Sequence, residues 1–231
     1  MKKIGIMQPY IFPYIGYFQL MNAVDAYVIY DDVQFIKGGW INRNNILSNG
    51  QRILFTFPLS GASPNKLIRE VGIQDDFDKF KRTLAMAYSK APYKEAVLKL
   101  VDEVVGYPDK GNIAYFIGNS FRVIAQYIGI TTEIIYSSDL GKDVTLKGSA
   151  KVIAICEEIG GTHYINAIGG QDLYDKESFR VHGIELAFLK THEITYRQLK
   201  NEFVSNLSII DVMMFNSPEE IKAMLNDYEL L

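Results

Sequence analysis

A short apolar run, Ile4-Gly-Ile6, passes directly into Met7-Gln-Pro-Tyr-Ile-Phe-Pro-Tyr-Ile-Gly-Tyr-Phe-Gln-Leu20. Two prolines, a glycine, three tyrosines and two glutamines crowd that stretch. Proline fixes φ and cannot donate to a ladder, so a strand starting at Lys3 has to end near Met7. From Ile15 to Val24 the apolar residues Phe18, Met21 and Val24 recur at helical spacing, which predicts a helix. Tyr27-Val-Ile-Tyr30 is β-branched and aromatic, which predicts a second strand, and it ends in Asp31-Asp32. Strand, loop, helix and strand in so short a span make a βαβ unit with parallel neighbouring strands. Open α/β sheets keep ligands beyond the carboxyl ends of their strands. The tyrosine–proline loop is therefore the first place to expect a site.

The rest of the chain extends that frame. Arg52–Leu59 reads as a third strand with Pro58 at its end or edge, and Leu67–Ile73 as another short strand. Lys37-Gly-Gly-Trp40 reads as a turn and Asn42-Arg-Asn-Asn45 as a polar cluster. Three helices are predicted over 76–88, 93–105 and 112–127, where Val97, Leu100, Val101 and Val104, then Ile113, Phe116, Ile117, Phe121 and Ile124, repeat at helical spacing. Pro92 suits a helix start and Gly129 a helix end. A strand over 133–136, a helix over 145–159 ended by Gly160-Gly161, and a short strand at Tyr164-Ile165 follow. A glycine-rich loop over 166–174, a helical segment over 173–181, a strand over 184–189 and two short helices, 207–215 and 218–225, complete the pattern. The expected architecture is one α/β domain over 1–231 with a helical insertion at 76–127.

Composition narrows the class. At 231 residues with 48% hydrophobic content the chain can build a substantial core. Its net charge of −3, from 24 basic and 27 acidic residues, is not that of a polybasic nucleic-acid surface, so no nucleic-acid partner is expected. The N-terminus has no signal-peptide pattern and no run is long enough to span a membrane, so a cytoplasmic protein without stable membrane insertion is expected. The single cysteine, Cys156, lies in the apolar run Val152-Ile-Ala-Ile-Cys156 and reads as a packed core thiol. His163, His182 and His192 lack zinc-ligand spacing. Zinc is not expected, whereas magnesium held by Asp31 or Asp32 stays open. There is no P-loop and no G-x-S-x-G elbow.

Four groups look chemical. Asp31 and Asp32 follow a strand, and adjacent side chains point to opposite sides of extended chain. One of them can face a cleft to orient a nitrogen, take a proton or bind a metal; the alternative is a strand terminator and turn cap. Lys37, Trp40, Asn42, Arg43 and Asn44 combine cations that clamp phosphate, side-chain amides and a ring that stacks; the alternative is a Gly-Gly hairpin anchored by Trp40. Lys147-Gly-Ser149-Ala-Lys151 opens a helix, where a basic or hydroxyl group can hold phosphate, although Ser149 also suits a plain N-cap. Gly169-Gly-Gln171-Asp172 follows a strand and brings Gln171 and Asp172 toward the same cleft, or forms a structural turn. His163 sits just before a strand, where it can face the cleft.

Several of these segments resemble the WbqC-like family over nearly the whole chain. They are Gln8–Leu20, Val28-Ile-Tyr-Asp-Asp-Val-Gln-Phe-Ile-Lys37, Trp40-Ile-Asn-Arg-Asn44, Gly169-Gly-Gln-Asp172 and Asn206-Leu-Ser-Ile-Ile-Asp211. The resemblance implies a role in surface-polysaccharide (O-antigen) assembly. It points to a transferase that uses a nucleotide-linked amino sugar and an acyl or amino-acid donor. The segment Phe12-Pro-Tyr14-Ile-Gly16-Tyr17 also looks like the H-x-G-H loop of the nucleotidyltransferase superfamily. That likeness implies a Rossmann-like, nucleotidyltransferase-type parallel sheet, with ATP as a candidate cofactor. Tyr14 and Tyr17 would occupy the histidine positions. A phenol donates a hydrogen bond but carries no positive charge, so the cation would come from Lys37, Arg43 or Lys147. On this reading Asp31, Asp32 and Tyr17 do the chemistry. Gln8, Tyr10, Tyr14, Gly16, Lys37, Trp40, Asn42, Arg43, Lys147, Ser149, Gln171 and Asp172 bind the ligand. The alternatives are an adenylate-forming ligase or nucleotidyltransferase, and a non-catalytic sugar-nucleotide-binding protein. The abundance of aromatic residues permits a homodimer.

Overall fold

The computed structural model describes residues 1–199 and 202–231. In chain order its elements are β1 (Lys3–Met7), α1 (Ile15–Ala23), β2 (Ala26–Ile29), β3 (Arg43–Ser48), β4 (Gln51–Thr56), β5 (Leu59–Ser60), β6 (Gly72–Ile73), α2 (Asp78–Ala87), α3 (Lys94–Val105) and α4 (Ile113–Ile128). They continue as β7 (Glu133–Tyr136), α5 (Gly148–Glu158), β8 (His163–Ala167), α6 (Lys176–Arg180), β9 (Glu185–Thr191), α7 (Ile209–Phe215), α8 (Pro218–Met224) and β10 (Tyr228–Leu230). The main sheet has six strands in the order β10-β9-β8-β1-β2-β7. All its pairings are parallel except β10 on β9. From β1 the chain builds outward through β2 and β7, then returns to the other side of β1 to lay down β8 and β9. The order therefore reverses between β1 and β8.

Alternation along the central strands explains the layers. Ile4 and Ile6 of β1, with Ala26 and Val28 of β2, face Val152, Ile155 and Cys156 of α5 and Phe179 of α6. The residues between them face the other way, where Tyr27 and Ile29 join the cluster of Phe18, Leu20 and Phe121. Gly5 keeps that second face flat, since a Cβ there would already touch Leu20 Cγ at 3.4 Å. Both faces are covered, so these strands are apolar throughout rather than alternating with polar residues. Each large side chain so buried stabilises the fold by about 1.5–3 kcal/mol.

The helices predicted within 76–127 form as α2, α3 and α4. Phe121 of α4 meets Tyr27 at 5.9 Å and Phe18 at 6.1 Å, which seats α4 on the sheet. The strand at 52–59 departs from expectation. It is Gln51–Thr56, and it pairs with β3 in a separate two-stranded hairpin. Asn49 and Gly50 both have positive φ and form the tight turn that Asn-Gly favours. Most of the polar cluster Asn42–Asn45 starts β3, an element the sequence reading did not include. The 67–73 segment is a 3-10 turn over Ile68–Glu70 followed by the two-residue β6. At the C-terminus, β10 adds an antiparallel edge that sequence patterning did not reveal.

Candidate functional site

The loop between β1 and α1 is held from several directions. Phe12 lies in the left-handed region at φ 43°, which costs about 1–2 kcal/mol in a residue with a side chain. Its ring is buried against Phe80, centroids 5.9 Å apart. Its carbonyl accepts from Asn44 Nδ2 at 2.6 Å and Ser208 Oγ at 2.7 Å. The Ile209 N–H donates to the Pro13 carbonyl at 2.7 Å. The hairpin and the C-terminal segment thus lock one loop conformation, and burial balances its strained φ.

That conformation stacks three tyrosines edge to face. Tyr10 meets Tyr17 at 5.3 Å and Tyr17 meets Tyr14 at 5.8 Å. Tyr14 precedes α1, and its ring covers Gly16; a Cβ on Gly16 would lie 2.9 Å from Tyr14 Cζ. Burial pushes all three phenols above their ordinary pKa, so they remain neutral hydrogen-bond donors. Gln8 is half-buried at the end of β1. Tyr10 also touches Trp40, ring centroids 6.2 Å apart, and the Arg43 guanidinium lies 5.2 Å from the Trp40 ring. Arg43 donates to the Gly38 carbonyl and Asn42 Nδ2 to the Phe57 carbonyl at 2.7 Å. Lys37, Asn42 and Arg43 line a cavity of about 280 Å³, and Trp40 stays half exposed.

Asp31 and Asp32 stand just past β2, at the same edge. Asp31 accepts from Ser138 N at 3.0 Å and Ser138 Oγ at 2.6 Å. Asp32 accepts from Ser137 Oγ at 2.7 Å on one oxygen, and from Lys142 Nζ and Lys151 Nζ, each at 2.9 Å, on the other. All four carboxylate oxygens are engaged, and both residues are buried. Burial raises the pKa of Asp31 despite the Ser138 bonds. Burial works the same way on Asp32, but the bonds from Ser137, Lys142 and Lys151 outweigh it and lower that carboxyl. The pair does not fit a magnesium ion, because a dication there would face two ammonium groups already seated on Asp32.

Beside this cluster Tyr30, Asp32, Lys147, Gly148 and Lys151 line a cavity of about 330 Å³. Lys147 is exposed and Ser149 half-buried. Lys147, not Ser149, occupies the N-cap of α5, and no side chain caps that end. Gln171 and Asp172 follow β8 in an exposed 3-10 turn, whereas Asn166 at the end of β8 is buried. His163 lies at the opposite edge, since it begins β8 beside Lys3 and pairs with Glu185 at 3.0 Å; it does not face the cleft. Cys156 is the expected buried thiol, pushed by burial to about 12.

Sequence reasoning missed Ser137, Ser138 and Lys142, and placed Lys151 in the helix-start motif without its pairing to Asp32. The serines had a signal, because they directly follow the strand Glu133–Tyr136, as Asp31 and Asp32 follow β2. It also missed the buried carboxylate of Asp211, which accepts from Tyr196 Oη at 2.6 Å, Gln198 Nε2 at 2.7 Å and Tyr88 Oη at 2.8 Å. That network joins α7 to the end of α2 and to β3, whose Leu47 N–H donates to Tyr88 at 2.9 Å. Among the described residues no group of three His, Cys, Asp or Glu is arranged to hold a metal ion. None of the described helices is long and apolar enough to cross a membrane.

The tyrosine loop, the strand-end aspartates and the Asn206–Asp211 segment all fall within residues 8–223, which match the model of the WbqC-like protein family. The chain belongs to the WbqC-like family. An uncharacterized protein of Mycobacterium tuberculosis is 27% identical over 221 residues, covering 94% of each chain. No solved structure matches the chain. Two features of this WbqC-like chain, the locked tyrosine loop and the aspartate–serine–lysine cluster, lie on one edge of its sheet.

Proposed function

We propose that this WbqC-like protein is a transferase of surface-polysaccharide (O-antigen) assembly. It acts on a nucleotide-linked amino sugar and attaches an amino acid or other acyl group. The single observation that carries the reading is the position of the neutral Tyr10–Tyr17–Tyr14 stack. It stands at the carboxyl end of β1, beside the reversal of strand order between β1 and β8. Doubly wound, Rossmann-like sheets bind nucleotides at such a reversal. Flat rings with hydroxyl tips suit a sugar or a base. Trp40 and Arg43 extend the aromatic surface outward. Asp31 and Asp32, with every oxygen engaged, support orientation of the amine and of neighbouring serines and lysines more than direct proton abstraction. Mass spectrometry of small molecules released from the natively purified protein tests the reading. A nucleotide amino sugar is the expected species, and its absence together with undetectable binding of such sugars would sink the reading.

The runner-up is an adenylate-forming ligase with a nucleotidyltransferase-type site. It is favoured by Tyr14 and Gly16, which meet at the start of α1 where the H-x-G-H loop of that superfamily enters its helix. Exchange of labelled pyrophosphate into ATP, driven by an acid such as glycine, is its expected signature; no exchange across a panel of acids counts against it.

A further inference from the structure

We propose that Lys147 and Lys151 form an anion site at the start of α5, with the buried charge of Lys142 behind them, that takes the diphosphate of a phosphorylated ligand. The inference deepens the proposed function by giving the nucleotide-linked sugar a place for its phosphates, and it rests on that reading only for the identity of the whole ligand. Lys142 and Lys151 are buried, their side chains 1% and 4% exposed, and both ammonium groups contact the same Asp32 oxygen at 2.9 Å. Buried charges are costly unless paired, and here two cations share one carboxylate. Neighbouring acids do not close the difference. Asp31 is turned to Ser138, and Asp143 accepts from the N–H and hydroxyl of Thr145.

The donors are also incompletely used. An ammonium group has three N–H bonds. Lys151 gives one to the Asp32 carboxylate and one to the Asp32 carbonyl at 2.7 Å. Lys142 gives one to Asp32 and one to the Ser137 carbonyl. One N–H remains on each, and of the two lysines Lys151 is the one that lines the adjoining cavity. Lys151 faces a cavity of about 330 Å³ whose wall also holds Lys147 and Gly148. Gly148 has φ +55°, and the space where its Cβ would stand is open, so a ligand can approach the backbone closely. α5 is 11 residues long, uncapped by any side chain, and has no acid in its first turn. A helix start normally attracts negative charge, yet here it carries Lys147 and Lys151. A bound diphosphate supplies the missing anion, and the Tyr30 ring, 5.4 Å from Lys151 Nζ, flanks it.

Titration calorimetry with inorganic pyrophosphate on the full chain, with thermal unfolding alongside, tests the site. The wild type is expected to bind at millimolar pyrophosphate or below and to gain thermal stability. Lys147→Met and Lys151→Met should each weaken binding about tenfold or more. Lys99→Met, an exposed charge on α3, should leave it unchanged. Lys147 is exposed, so its variant reports even if Lys151→Met fails to fold. No binding by the wild type, or equal losses in all three variants, would overturn the site. Uridine diphosphate N-acetylglucosamine and free N-acetylglucosamine separate the two claims. Lysine-dependent pyrophosphate binding with no added affinity for the sugar nucleotide upholds the anion site and removes the sugar reading. Tight sugar-nucleotide binding unaffected by the lysine variants does the reverse.

Discussion

The ring of Tyr14 lies across Gly16, leaving no room for a Cβ: one placed there would also come within 3.1 Å of Thr191 Oγ1. A glycine two residues after a tyrosine thus lets the ring fold back over the first turn of α1. It ties the tyrosine loop to the end of β9. Gly16→Ala should push Tyr14 out of the stack. Overpacking of this kind costs about 1–3 kcal/mol, and ligand binding should suffer more than stability. Chemical denaturation and titration of a nucleotide sugar measured together check this; unchanged binding in a destabilised variant would count against a ligand role for the stack.

Asp32→Asn should be among the most damaging single changes at this edge. It removes the only carboxylate within salt-bridge distance of Lys142 and Lys151 among the described residues. Breaking a buried ion pair by removing one partner costs about 3–5 kcal/mol. Urea unfolding at neutral pH reads the loss.

The same group gives a pH dependence of known sign. The folded-state pKa of Asp32 is below its ordinary 3.8. Its stabilisation is therefore present above that value and fades as pH falls through the depressed one. Asp31 runs the other way, because its folded-state pKa is raised: its contribution is present below 3.8 and is lost as pH rises through the raised value. Unfolding free energies between pH 2 and 6 should lose the acid-side fall attributable to Asp32 in Asp32→Asn, whereas Asp31→Asn should remove the opposing slope.

Trp40 is the sole tryptophan and sits half exposed beside Tyr10 and Arg43. A nucleotide sugar bound at the tyrosine stack should change its fluorescence saturably. Trp40→Ala should cost affinity by about 1–3 kcal/mol if a base stacks on it. A ligand that binds without any spectral change would remove Trp40 from the site.

Cys156 is fully buried, and its thiol is pushed up to about 12. An aromatic disulfide reagent at pH 8 should label it only on unfolding. Prompt labelling of the native protein would contradict its packing beneath β1 and β2.

The elements with a local cause were legible. Tyr27–Tyr30 and Glu133–Tyr136 are isolated runs favourable to strands, and Val97, Leu100, Val101 and Val104 repeat with the helical period. The hairpin of β3 and β4 was not legible because the polar cluster Asn42–Asn45 carries no apolar alternation, although Asn49-Gly50 favours the turn. β10 was missed because a three-residue edge strand has little pattern of its own and exists by pairing with β9.

By itself the sequence determined that a proline-broken first strand leads through three tyrosines into a helix and a second strand ending in two aspartates. Local backbone chemistry is enough for that, because proline ends a ladder and apolar periodicity sets the element. Only the tertiary structure decided what those aspartates meet. Lys151 stands 119 residues from Asp32 in sequence, and no periodicity links them. The return of the chain to β7 and α5 brings Ser137, Ser138, Lys142 and Lys151 onto the two carboxylates. Burial then makes those contacts strong, since the water that would screen them is excluded.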